Sequence, residues 1–200
     1  MLEARIQQHF FESADLMYQV AESLAKPIAD AAQATVGCLT SGGKLLACGQ
    51  GSAGAGMARL LCSALMLGFE RERPPLAAVP LGPGLASAIQ LLTPASADST
   101  PRLALQVRAL GQPGDLLVAF APLDDAEMLA VVDEAHAKDM SVILLSGSAA
   151  TALPGLLGET DVWIAVPHER PARVRELHLL ALHALCEAID LQLLGEADPA

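Results

Sequence analysis

At 200 residues, 52% of them hydrophobic and only 3% aromatic, the chain is long enough for one α/β domain with a well-buried core, and no second domain or internal repeat is visible. A formal net charge of −11 and a pI near 4.7 repel nucleic-acid phosphates and argue against direct DNA binding. The mean hydropathy of +0.41 comes largely from alanine and leucine. No apolar run reaches the roughly 20 residues of a membrane helix, and the polar start from Met1 to His9 is not a signal peptide. A cytoplasmic protein is expected, with no membrane partner and with surplus apolar surface in oligomer interfaces. Cys38, Cys48, Cys62 and Cys186 lack CxxC spacing and histidine pairs, and read as small buried hydrophobes.

Apolar positions at Ile6, Phe10, Leu16, Met17, Val20 and Leu24 predict a helix from residue 2 to about 23. Pro27 then opens a second helix, Ile28 to about Leu39, closed by Thr40-Ser41-Gly42-Gly43. These helices form an N-terminal appendage (residues 1–41) to an α/β core at 44–168. Strand one, Lys44 to Cys48, runs into Gly49-Gln50-Gly51-Ser52-Ala53-Gly54-Ala55-Gly56, and a helix spans Met57 to Leu67. Strand, glycine turn and helix start suit a phosphate cradle, because glycine admits close backbone approach and the helix start favours an anion. The same residues also suit an ordinary strand-to-helix turn.

Pro74 and Pro75 end the next charged segment, and strand two follows at Leu76 to Leu81. Gly82 to Pro101 reads as an elaborated loop holding a short apolar segment, Leu85 to Leu92. Then come a helix at Arg102 to Leu110, strand three at Leu116 to Phe120, a helix at Asp124 to Lys138 and strand four at Ser141 to Leu145. A Ser146-Gly147-Ser148 turn, a short helix near Thr151 to Leu157, strand five at Val162 to Val166 and a long C-terminal helix (residues 170–194) complete the chain, before an acidic tail. Strands alternating with helices predict a doubly wound, five-stranded parallel sheet.

Gly49-Gln50-Gly51-Ser52, Phe69-Glu70-Arg71-Glu72-Arg73-Pro74, the segment from Gln106 to Leu117 and the segment from Arg173 to His183 resemble the sugar isomerase (SIS) domain family. The nearest branch holds the phosphoheptose isomerases and the DnaA initiator-associating protein DiaA, and the similarity covers nearly the whole chain. The resemblance implies a flavodoxin-like fold, a homotetramer packed through N- and C-terminal helices and, in the isomerases, a sedoheptulose 7-phosphate site between subunits, often with zinc.

Several positions depart from that pattern. Where the enzymes carry a hydroxyl-rich phosphate loop after strand three, this chain has Phe120-Ala121-Pro122-Leu123-Asp124-Asp125. The hydroxyls are gone, Pro122 removes a donor and two carboxylates oppose an anion; Asp124 is expected to cap the next helix. The family's His and, four residues on, Glu fall on Arg59 and Ser63, or in the other register on Leu60 and Ala64, so no base remains there. The family's Gln and later His fall on Arg175 and His183.

His183 is the one retained catalytic candidate, as a general acid or metal ligand, although without its partners a half-buried histidine in a tetramer core is the favoured reading. Arg175 can hold an anion or pair with a carboxylate. Gly51 and Ser52 keep one hydroxyl and a helix dipole for a sugar phosphate. Leu193 and Leu194, just before the acidic tail, are candidate contacts for a protein partner or caps of the tetramer bundle. These departures lead to an expectation of a non-catalytic scaffold on the DiaA pattern. It would bind a partner such as DnaA and use no cofactor, with zinc only if isomerase activity is kept. The alternatives are a phosphoheptose isomerase and a sugar-phosphate sensor.

Overall fold

The computed structural model describes residues 1–82 and 102–196. The expected apolar segment Leu85 to Leu92, the rest of its loop beyond Gly82 and the last four residues of the tail lie outside the described residues. Helix α1 runs unbroken from Leu2 to Thr40, with Pro27 inside it, where the sequence predicts two helices. Pro27 cannot donate to the carbonyl of Ser23, a loss of roughly 3 kcal/mol in a helix interior. Burial of Leu16, Val20 and Leu24 before it, and of Ala31 and Ala32 after it, offsets that loss. Each fully buried aliphatic side chain contributes about 2 kcal/mol.

Five parallel strands follow, β1 (Leu45–Gly49), β2 (Ala78–Pro80), β3 (Leu116–Ala121), β4 (Ser141–Gly147) and β5 (Val162–Val166), in the order β2-β1-β3-β4-β5. Alternation along the central strands divides the core. Leu45, Ala47, Val118, Phe120, Ile143 and Leu145 face α1, α2 (Gly51–Leu67) and α5 (Pro171–Leu194). Leu46, Cys48, Leu117, Ala119, Val142 and Leu144 face α3 (Arg102–Leu110) and α4 (Ala126–Ala137). This is the doubly wound α/β fold that the sequence predicts. The four cysteines are free thiols, and burial pushes Cys48, Cys62 and Cys186 up to about 12, leaving them unreactive.

Helix α5 is long and apolar enough to cross a membrane by length and composition alone. In the fold it is a core helix: Arg173, His178 and Asp190 on it are buried. Its far end is tied to the end of α2. Arg73 donates to Asp190 at 2.5 Å and to the carbonyls of Leu65 and Ala64 at 2.6 and 3.0 Å, so one guanidinium closes the α2 C-terminus and pairs with a buried carboxylate. At its other end α5 is joined to α1, where Arg173 reaches Glu176 and the ring Nδ1 and carbonyl of His9. A guanidinium offers no acceptor, so Nδ1 of His9 carries the lone pair.

Candidate functional site

In an open parallel sheet, ligands bind where strand order reverses, beyond the carboxyl ends of the strands. Here that point lies between β1 and β3. Gly49 stands in register with Phe120, and the Gln50 amide donates to the Phe120 carbonyl at 2.8 Å. Helix α2 begins immediately at Gly51, whose φ of +63° suits glycine, rather than at Met57 as the sequence predicts. Two glycines permit this early start. A Cβ on Gly54 would stand 2.6 Å from the Gly49 backbone, and one on Gly49 would stand 2.5 Å from Gly54. The first turn therefore lies directly on the end of β1. Its N-cap, Gln50, makes no side-chain capping hydrogen bond, and Gly51, Ser52 and Ala53 are exposed. Free amides at a helix start attract an anion through unsatisfied N–H groups and the helix dipole.

These residues border a cleft of about 400 Å³. Gly49, Gly51 and Ser52 form one side, Leu81 and Gly82 follow β2, and Arg102, Leu103 and Glu127 come from the starts of α3 and α4. Glu127 links those two starts: its Oε1 accepts from the amides of Arg102 at 3.0 Å and Leu103 at 3.1 Å. Sequence reasoning missed Glu127. In the sequence it is only an acidic residue in a helix's first turn, and nothing local shows that it spans to a helix 25 residues away.

The loop after β3 carries its two carboxylates away from the cleft. Asp125, not Asp124, caps α4, accepting from the Met128 amide at 2.8 Å. Asp124 instead caps the short 3-10 turn Leu153–Leu156, accepting from the amides of Thr151, Ala152 and Leu153 and from the Thr151 hydroxyl. Partial burial pushes its carboxyl up, but these donors outweigh that and hold it below the ordinary range. The expected Ser146-Gly147-Ser148 turn is also revised: Ser146 and Gly147 belong to β4, paired with Ala165 and Val166, and the Ser146 hydroxyl accepts from Trp163 Nε1 at 2.8 Å.

The residues predicted on α5 are spread along it. His178 is buried beneath the ends of β3 and β4, with its ring 6.2 Å from that of Phe120. A backbone hydrogen bond ties the ring to Ser146, and Nε2 is buried without a partner. Burial pushes this imidazole down to about 4, opposed by the Ser146 bond and assisted by the charge of Arg175. Arg175, half-buried, stands one turn nearer the start of α5, and its Nε is buried without a partner. His183 lies further along, its ring 5.4 Å from that of Phe69, just past the end of α2. Since α2 has 17 residues and spans roughly 25 Å, Ser52 and His183 lie near its opposite ends and cannot meet one small ligand within one chain. Leu193 packs on the core and Leu194 is 38% exposed.

The donor set does not fit the zinc that the resemblance implies. Its ligand positions hold Arg59 and Ser63 (or Leu60 and Ala64), Arg175 and His183, which supply one imidazole and at least one guanidinium that repels a dication. The described residues also hold no cluster of three His, Cys, Asp or Glu side chains fit for a metal.

Comparison with known proteins gives a consistent result. Residues 8–147 match the SIS domain model. The chain is 52% identical to a phosphoheptose isomerase from Methylibium petroleiphilum over 199 residues, 99% of this chain and 98% of that one. Among solved structures it is similar to a phosphoheptose isomerase from Neisseria gonorrhoeae, with TM-score 0.84 and 36% identity over 95% of this chain and 99% of that one. A phosphoheptose isomerase from Francisella tularensis gives TM-score 0.86 and 35% identity over 95% and 98%. These relatives are enzymes, and they overturn the expectation of a non-catalytic scaffold that binds DnaA. The missing hydroxyls after β3 and the missing base on α2 do not by themselves remove catalysis, because other polar groups line the cleft.

Proposed function

The chain belongs to the SIS-domain family, and from that premise we propose that it is a phosphoheptose isomerase, interconverting sedoheptulose 7-phosphate and the corresponding aldoheptose 7-phosphate. The near full-length identity to the Methylibium enzyme carries the reading. The geometry supports it with an uncapped helix start beside a cleft at the strand-order reversal. The phosphate binds at the amides following Gly51 and at the Ser52 hydroxyl, in place of the hydroxyl-rich loop that this chain lacks after β3. Arg175, near the same edge of the sheet, adds positive charge.

His183 serves a cleft only in an assembly, because its own chain holds it at the far end of α2. A homotetramer built on α1 and α5 meets that need. Between these helices runs an apolar groove of about 340 Å³, bordered by Leu24, Ile28, Leu177 and Leu180, which suits a partner copy. Leu193 and Leu194 belong to that bundle. The protein works in the cytoplasm, without zinc, a nucleic-acid partner or a membrane.

Calorimetric titration with sedoheptulose 7-phosphate, followed by an isomerisation assay, tests the reading. Binding with turnover is expected, in chelator as well as without it. No heat at millimolar ligand would overturn the reading, and binding without turnover would make the protein a sugar-phosphate sensor.

A further inference from the structure

Moving a sugar carbonyl from C2 to C1 needs one group that takes a proton from carbon and returns it. Helix α2 supplies none: between Ser52 and Phe69 there is no imidazole or carboxylate. Resting on the isomerase reading, we propose that Glu127 is the base and that the proton transfer needs no metal. Among the described residues lining the cleft, Glu127 is the sole carboxylate. It faces the ligand space together with Gly51 and Ser52 of the α2 start, so a phosphate held there leaves the other end of the sugar to be reached by α4.

The side chain is positioned for this work. Oε1 accepts from two backbone amides, which fixes the carboxylate at the edge of the cleft. One oxygen anchors the group, and on this proposal the other serves the substrate. Glu127 Oε2 takes a proton from C1 of the open-chain ketose, and the C–H electrons form the C1–C2 double bond as the carbonyl electrons move to O2. The O1 hydroxyl proton passes to O2. O1 then re-forms a carbonyl at C1 as C2 takes the proton back from Glu127. Glu127 ends ionised, as it began, and no oxidant, reductant or co-reactant is consumed.

The test exploits the two oxygens. In Glu127→Gln the amide oxygen still accepts from Arg102 and Leu103, but basicity is lost; a thermal melt within a few degrees of wild type confirms the fold. We expect kcat to fall about 1,000-fold with KM within about threefold, and exchange of the C1 hydrogen of sedoheptulose 7-phosphate with D2O, followed by NMR, to fall with it. Chelator leaves the wild type unchanged. Turnover by Glu127→Gln within tenfold of wild type would overturn the assignment, as would activity lost to chelator and restored by zinc. A wild type that binds the sugar phosphate but neither turns it over nor exchanges its C1 hydrogen overturns this base and the isomerase reading together and leaves a sugar-phosphate sensor. One that binds none overturns the isomerase reading as well.

Discussion

The two ends of α2 are finished in opposite ways. At its C-terminus Arg73 donates to the carbonyls of Leu65 and Ala64 and to buried Asp190, so two of the orphan carbonyls of the last turn are satisfied from within the chain. At its N-terminus the N-cap Gln50 makes no side-chain capping bond, and two glycines bring the first turn down onto β1 beside the cleft. A helix end closed by its own protein serves stability, and one left open has donors to give a ligand. The open end lies at the sheet's carboxyl edge, where the proposed phosphate site is, and the closed end serves stability.

Breaking the closed end gives the largest effect. Arg73→Ala strands Asp190, whose Oδ2 is already buried without a partner, and should destabilise by about 3–5 kcal/mol in chemical denaturation while leaving sugar-phosphate affinity per folded molecule unchanged. Next is acid. His178 falls from 6.5 to about 4 on folding, so between those pH values the unfolded chain binds the proton and the native one does not. Stability should therefore fall as pH drops through this window, by about 3 kcal/mol in all. Denaturant midpoints across that range in wild type and His178→Gln check this, and the variant should lose that component of the pH dependence.

At the open end, Gly54→Ala puts a methyl group 2.6 Å from the Gly49 backbone, and the first turn must lift. A loss of about 1–3 kcal/mol is expected, with a disproportionate loss of sugar-phosphate affinity by calorimetry. Equal affinity in a stably folded variant would break the assignment of function to that end. The smallest effect belongs to Asp124→Ala, which removes the cap of the turn after β4 and should cost about 1 kcal/mol at pH 7. Because the Asp124 carboxyl lies below its ordinary value, its contribution is present at neutral pH and fades as pH falls through the folded value. The difference between variant and wild type should shrink in acid.

Much of the fold was legible from local pattern. The apolar strands and intervening helices predict the five parallel strands, and the Gly49 to Ser52 turn marks the cleft that forms there. Where the reading failed, long-range packing overruled a local signal. Pro27 is a sound helix-stop signal, but burial on both sides carries α1 through it. Asp124 is the expected cap of α4, and only the meeting of the β3 and β4 loops shows that Asp125 takes that place while Asp124 serves the turn after β4.

What the sequence determined by itself was what local chemistry dictates: strand periodicity, the glycine turn, the acidic charge and the absence of a base on α2. Tertiary structure alone decided that α2 starts at Gly51, that His183 sits by Phe69 instead of by Ser52, and that Glu127 faces the cleft. Each of these depends on residues far apart in the chain meeting across the sheet, and side-chain periodicity holds no record of such meetings.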